Sequence, residues 1–377
     1  MAHTYRGYDQ GMIWTFLRMS FAALGRIGYR AGNRVHQRIP NRLGPMRGVH
    51  QEAVFHEDYS LQARLVQRAA RIFIQPILRF APMTPRAIAF MRRLERRAAN
   101  APRSRYVEAR RVLVAGIPAE SMRHRYGPPS DATILYLHGG GFMFCGIETH
   151  RRICERLAKL TGAEVVSLDY KQLPEGPVAD SVNDAINAYE AVLATCPDPS
   201  KVIVAGDSAG GYLSMKVAEL ATRRGITRPA AVLGFSPLLS VDPDRPDKGV
   251  ERIDPVNDAY LPPSRMPRIR SQWLPIGARI EGRDSPLDAT EWIESPVFMT
   301  ATEDEMLRPE VEEMARRLAE RGQTVEIHLW RKQVHAFPVM ADVLPESREA
   351  LQLAANFVAA QTGRFTETVA CQEPGVA

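Results

Sequence analysis

The chain has 377 residues, 45% apolar and 24% charged, the proportions of a soluble globular protein with one large domain and an appendage, or with two smaller domains. Its four cysteines, Cys145, Cys154, Cys196 and Cys371, lie far apart with no CxxC pair. That spacing speaks against a structural zinc site and a disulfide scaffold and fits a reducing, cytoplasmic compartment.

The net charge of +6 hides a division. Residues 1–130 hold 23 Arg, no Lys and seven acids, a balance of +16, so the remainder carries −10. The first third therefore has its own surface or partner. Within it, Trp14, Leu17, Phe21 and Leu24 recur at helical spacing, and Arg26, Arg30, Arg34 and Arg38 follow four apart. The apolar stretch is broken by Arg18 and falls short of the ~20 residues that span a bilayer. It is also a poor secretory signal, because its apolar core is interrupted. A basic amphipathic helix over residues 11–38 suits peripheral contact with an anionic membrane surface. The alternative is a cap helix packed on the protein's own body. Nucleic acid is not an expected partner, since the arm has no lysine and no interleaved aromatics beyond Trp14.

Helical segments punctuated by Pro40, Pro45, Pro76, Pro82 and Pro85 fill the chain to about residue 105. RRVLVAGIP and AESMRHRY then read as two strands joined by a short turn, and ATILYLH as a third. From residue 148 helices and short apolar strands alternate: ETHRRICERLAKL, AEVVSLDY, VADSVNDAINAYEAVLA, KVIVAG, AGGYLSMKVAELATRR, AAVLGFS. Such alternation predicts a parallel sheet covered by helices on both faces. Residues 240–290, rich in Pro, Asp and Arg, read as an insertion over the sheet. PVFMTA, a helix over about 309–321, TVEIHLW and a helix over about 346–360 resume the pattern. The last residues have no periodicity. The expected division is an arginine-rich arm and cap over 1–105, an α/β domain over 106–362 and a disordered tail over 363–377.

Two glycine clusters fall at strand ends. In VIVAGDSAGG, Gly206 to Gly210 form GxSxG between a strand and a helix, a turn that lifts the Ser208 hydroxyl above the sheet edge. A phosphate-binding loop does not fit, because no GK[ST] follows. A serine hydroxyl needs a base. Of the nine histidines, His335 alone lies late in the chain on a loop, in RKQVHAF. The acid that orients it is expected after PVFMTA, where TEDEML offers Glu303, Asp304 and Glu305; Asp304 is the choice, with the two glutamates as competitors. The other cluster, HGGGF, exposes backbone N–H groups. Gly139 and Gly140, with Ala209, are expected to hold the oxyanion of an acyl transfer, and His138 to fix the loop.

With HGGGF, GDSAGG, DEML and VHAF in that order, residues 110–360 resemble the hormone-sensitive-lipase-like family of α/β-hydrolase esterases, most of all its bacterial acetyl-esterase and monoterpene ε-lactone-hydrolase members. The resemblance implies an α/β-hydrolase fold with a mostly parallel eight-stranded sheet and a helical cap drawn partly from the N-terminal segment. It implies a small-molecule ester as substrate, Ser208, Asp304 and His335 as triad, Gly139, Gly140 and Ala209 as oxyanion hole, and neither cofactor nor metal. DYKQLPEGP departs from the DYRLAPEHP usual in the family, and the arginine-rich arm is longer than in compact bacterial members. Hydrolysis of short- to medium-chain esters is the expected activity. Lactone hydrolysis by the same residues is the alternative within chemistry, and a non-catalytic small-molecule receptor is the alternative outside it.

Overall fold

The computed structural model describes residues 38–39, 53–99, 104–242 and 258–363. Apart from the strand β1 (Arg38–Ile39) and Gly363, the expected arm helix and tail lie outside these residues, as does the middle of the 240–290 insertion.

Short β-rich runs build the sheet. After β1 come β2 (Val54–His56), β3 (Tyr59–Ser60), β4 (Val107–Val114), β5 (Ile117–His124), β6 (Thr133–Leu137), β7 (Glu164–Leu168), β8 (Val202–Asp207), β9 (Ala231–Phe235), β10 (Val297–Thr302) and β11 (Val325–Trp330). The main sheet runs β2-β11-β10-β9-β8-β6-β7-β5-β4, with β5 antiparallel to both its neighbours, β4 and β7, and every other pairing parallel. It has nine strands where eight were expected. The extra one is β2, three residues long, too short for a period of two to register in the sequence. The expected hairpin is present, but it turns at Ala115 (φ 52°) and Gly116 (φ 78°), so IPAE belongs to the second strand.

The helices are α1 (Leu61–Ala69), α2 (Gln75–Phe80), α3 (Pro85–Ala98), α4 (Ile147–Thr161), α5 (Val178–Thr195), α6 (Ala209–Arg224), α7 (Met266–Trp273), α8 (Arg308–Glu320) and α9 (Pro345–Gln361). A π-helical stretch, Ala70–Ile74, joins α1 to α2, so Pro76 does not end the helical run as its sequence suggests. The wider turn accommodates the residue that lacks an N–H. Alternate residues of each central strand enter opposite cores. Ile134 and Tyr136 pack with α4 and α9, whereas Leu135 and Leu137 pack with α5 and α6. Val297, Met299 and Ala301 of β10 meet α8. Among the described residues no helix is long and apolar enough to cross a membrane.

The helices before residue 105 are tied to the rest of the molecule. Ser60 caps α1, and Glu346 of α9 accepts from its N–H and hydroxyl. Gln75 Nε2 donates to the Asp258 carbonyl at 2.5 Å, and Arg265 donates to the carbonyls of Leu78 and Ala81. Deeper in, α6 buries an ion pair: Lys216 Nζ lies 2.5 Å from Glu219 Oε2 and donates to the Glu281 and Arg283 carbonyls at 2.6 Å. Removing one member strands the other charge without solvent. Glu219→Ala is expected to lower the unfolding free energy by about 3–5 kcal/mol, read as a fall in the urea midpoint at unchanged slope.

Candidate active site

Leu137 at the end of β6 stands in register with Gly206 near the end of β8. Neighbouring strands thus deliver the HGGG loop and the GDSAG turn to the same point on the carboxyl edge. Ser208 sits in the turn at φ 50°, ψ −118°, a conformation an L-residue enters only under constraint. Space forces the flanking glycines. A Cβ on Gly210 would come within 1.8 Å of the Leu137 carbonyl oxygen, and one on Gly206 within 2.4 Å of the Gly210 backbone.

The Ser208 hydroxyl lies 2.8 Å from His335 Nε2, in position to donate to it. On the other side of the ring, His335 Nδ1 faces Glu305 Oε2 at 3.4 Å. Both His335 and Glu305 are buried. Asp304, the residue expected here, points elsewhere: its carboxylate accepts from Gln67 Nε2 at 3.3 Å and Lys332 Nζ at 3.4 Å. Glu303 pairs with Arg331. The substitution of roles follows from the backbone. Glu303 still pairs with the Trp330 carbonyl, but the chain turns over residues 303–304, so strand alternation no longer fixes which side chain faces inward. Glu305 emerges after the turn on the side of His335.

Sequence reasoning did not find Asp258. Its carboxylate is buried and accepts three backbone N–H groups, from Tyr260 and Leu261 at 2.8 Å and from Met306 at 3.0 Å. It therefore holds the residue after Glu305 and the segment that places the Tyr260 ring 6.0 Å from the His335 ring. Burial pulls the His335 imidazolium down, but the hydrogen bond and charge of Glu305, with the charges of Asp258 and Asp207, outweigh it and leave the pKa above 6.5. No sequence signal marks Asp258, which stands alone in a Pro/Asp-rich stretch.

The glycine loop is anchored by Asp207. Its Oδ1 accepts from Tyr136 Oη at 2.8 Å and the Gly139 N–H at 3.0 Å, and its Oδ2 faces His150 Nε2 at 3.2 Å. The Gly139 N–H is thus occupied, contrary to its expected place in the oxyanion hole. The N–H groups of Gly140, Gly141 (φ 62°) and Ala209 have no acceptor among the described residues. Ala209 opens α6, whose first N–H groups have no intrahelical partner. Which of three consecutive glycines is consumed by Asp207 is set by the loop's tertiary contact, which HGGG does not spell out.

His138 behaves as a loop-fixing residue. Its Nδ1 donates to the Gly139 carbonyl at 2.8 Å and its ring stacks on Tyr170 at 4.4 Å. Burial, helped by the neighbouring His150, pushes its pKa down to about 3. His150 has the opposite environment. Burial lowers its pKa, but Asp207 more than compensates, leaving it raised. From α3, Arg92 donates to the carbonyls of Met143 and Leu173, and Glu95 accepts from the Cys145 N–H. Trp273 Nε1 donates to the Gly141 carbonyl at 2.8 Å.

A hydroxyl against an imidazole nitrogen, beside backbone N–H groups without acceptors among the described residues, is an arrangement that can serve as an activated nucleophile with preorganised donors. His335 must be neutral to accept the serine proton, so kcat/KM should fall as pH drops through a value above 6.5. Glu305→Gln should lower kcat by about 10³–10⁴-fold, while Asp304→Asn stays within about tenfold of wild type. Asp258→Asn should move the acidic limb of the pH–kcat/KM profile to lower pH, because a negative charge near the imidazolium is lost.

A family model described as an alpha/beta hydrolase fold matches residues 134–339. The chain is 29% identical over 246 residues to Esterase LipU of Mycobacterium tuberculosis, covering 62% of this chain and 81% of that one. It is 29% identical over 229 residues to Carboxylesterase/phospholipase LipF of the same organism, covering 60% of this chain but only 61% of the relative. The crystal structure of an esterase from the bacterial hormone-sensitive lipase family superposes with a TM-score of 0.70 at 26% identity, covering 81% of this chain and 99% of that one. With more than half its length matched, this chain belongs to the α/β-hydrolase family, beside the hormone-sensitive-lipase-like esterases that its glycine motifs resemble.

Proposed function

We propose that the protein is a serine carboxylic-ester hydrolase that acts through an acyl-enzyme on short- to medium-chain esters. The observation that carries the reading is the 2.8 Å approach of Ser208 Oγ to His335 Nε2, with the far nitrogen of the ring against Glu305. The names of the esterase relatives support the same reaction class.

In the first half-reaction His335 takes the Ser208 proton as Oγ attacks the ester carbonyl. The carbonyl oxygen becomes an anion, received by the N–H groups of Gly140, Gly141 and Ala209. Glu305 stabilises the resulting imidazolium and keeps Nδ1 protonated. The intermediate collapses with cleavage of the carbonyl–alkoxy bond, and His335 delivers its proton to the departing alcohol. In the second half-reaction water repeats the attack on the acyl-serine, His335 again serving as base and then returning the proton to Ser208. Each donor to an oxyanion of this kind contributes about 10²–10³-fold to turnover. A receptor without catalysis is the weaker reading, because His335 and Glu305 are both in place behind the serine.

The experiment is a series of p-nitrophenyl esters from acetate to laurate. Turnover should peak among the shorter acyl chains and fall by at least about a thousandfold in Ser208→Ala, with the circular dichroism spectrum unchanged. Ordinary turnover in folded Ser208→Ala would refute the mechanism. A maximum at laurate would refute the chain-length assignment alone.

A further inference from the structure

The cap presents two helical stripes outward that no described element covers. Along the run from α1 to α2, Ala63, Val66 and Ala70 turn inward and are buried. On the opposite side of that run, Leu61, Leu65 and Ile72 are exposed, Ile72 to 63%, with Arg64 and Arg68 among them. On α3, Ile88 and Leu94 are buried while Phe90, 60% exposed, stands between Arg86 and Arg93 at spacings of four and three. These side chains were placed outward against the cost of exposing apolar surface, which marks an interaction site when they are grouped.

Between the end of α2 and the start of α7 lies a cleft of about 520 Å³. Phe80, Pro82 and Met83 form its apolar wall, and Arg79, Arg265 and Arg268 its polar one. No acid lines it. Arg265 is held by the carbonyls of Leu78 and Ala81, whereas the Arg79 and Arg268 side chains are exposed. Phe80, 75% exposed, projects at the rim. The surrounding charge has one sign: residues 61–97 contain nine Arg and a single acid, Glu95, which is turned inward onto the Cys145 N–H.

From this combination we infer that the outer face of the cap docks on an anionic lipid surface, its apolar side chains entering the headgroup boundary and the arginine-lined cleft taking a lipid phosphate. Charge decides the occupant. Residues 1–51 carry eight Arg against one Asp, a charge of the same sign as this face. A second copy docked symmetrically, face to face, would present the same arginines to it. A phosphate headgroup satisfies guanidinium groups in the bidentate geometry they prefer, and acyl chains accept the Leu, Ile and Phe side chains. The inference concerns where the protein sits rather than what Ser208 does, and binding is measured without turnover.

The test is co-sedimentation of the full-length protein with vesicles of phosphatidylglycerol and phosphatidylcholine, against vesicles of phosphatidylcholine alone. Binding should require phosphatidylglycerol and weaken as salt rises. The pair Leu65→Ser with Phe90→Ser, and separately Arg79→Glu with Arg268→Glu, should each reduce the partition coefficient at least tenfold. Turnover of a soluble acetate ester should stay unchanged in both, which reports that each variant is folded. Wild-type protein that ignores phosphatidylglycerol vesicles would overturn the inference. So would variants that bind as wild type does, including the case in which removal of residues 1–50 abolishes binding that the cap variants retain.

Discussion

A single buried carboxylate holds the catalytic edge together. Asp207 ends the strand that leads into Ser208, yet its oxygens reach across to the neighbouring strand's Tyr136, to the first glycine of the HGGG loop and to His150 at the start of a helix. Burying such a charge is costly unless it is paired and hydrogen-bonded. Here burial alone would raise its pKa, but the His150 charge and hydrogen bond and the Tyr136 hydroxyl hold it below its ordinary value. The glycine loop, the turn at Ser208 and the start of α4 are therefore fixed to one point, and the distance between Ser208 and the loop's N–H groups follows from that point.

This dependence explains why the glycines are what they are. A Cβ on Gly139 would come within 2.1 Å of the Asp207 carboxylate, so a side chain there would break the anchor itself. Gly140 takes φ 113° and turns the backbone so that its own N–H and the next are released from the anchor. The three glycines do different work. The first makes the contact, and the N–H groups of the second and third have no acceptor among the described residues.

Much of this was legible in the sequence because it is local. Strand, sharp turn and helix around Ser208 lie within one continuous stretch, and His335 stood out as the only late histidine on a loop. The alternation of apolar strands and amphipathic helices specified the parallel sheet. What escaped notice depends on contacts between segments far apart in the chain. TEDEML names three acids, and only the turn after β10, read together with the Met306 N–H bonded to Asp258, decides that Glu305 faces the histidine. Likewise HGGG does not say that Gly139 will be taken by a carboxylate 68 residues away. Asp258 itself lies in an insertion with no periodicity, and β2 is too short to announce itself.

The cap's grip on the glycine loop has one more implication. Arg92 and Glu95 bind the backbone of residues 143 and 145, and Trp273 binds that of Gly141, so α3, α7 and the glycine loop share hydrogen bonds. The two helices cannot lift far on their own without slackening the loop. On warming, helices that border solvent open before a nine-stranded sheet does. Heat would then silence the protein while its spectroscopic signature of folding is still intact, and the working lifetime would be governed by a few helix side chains rather than by the stability of the open sheet they cover.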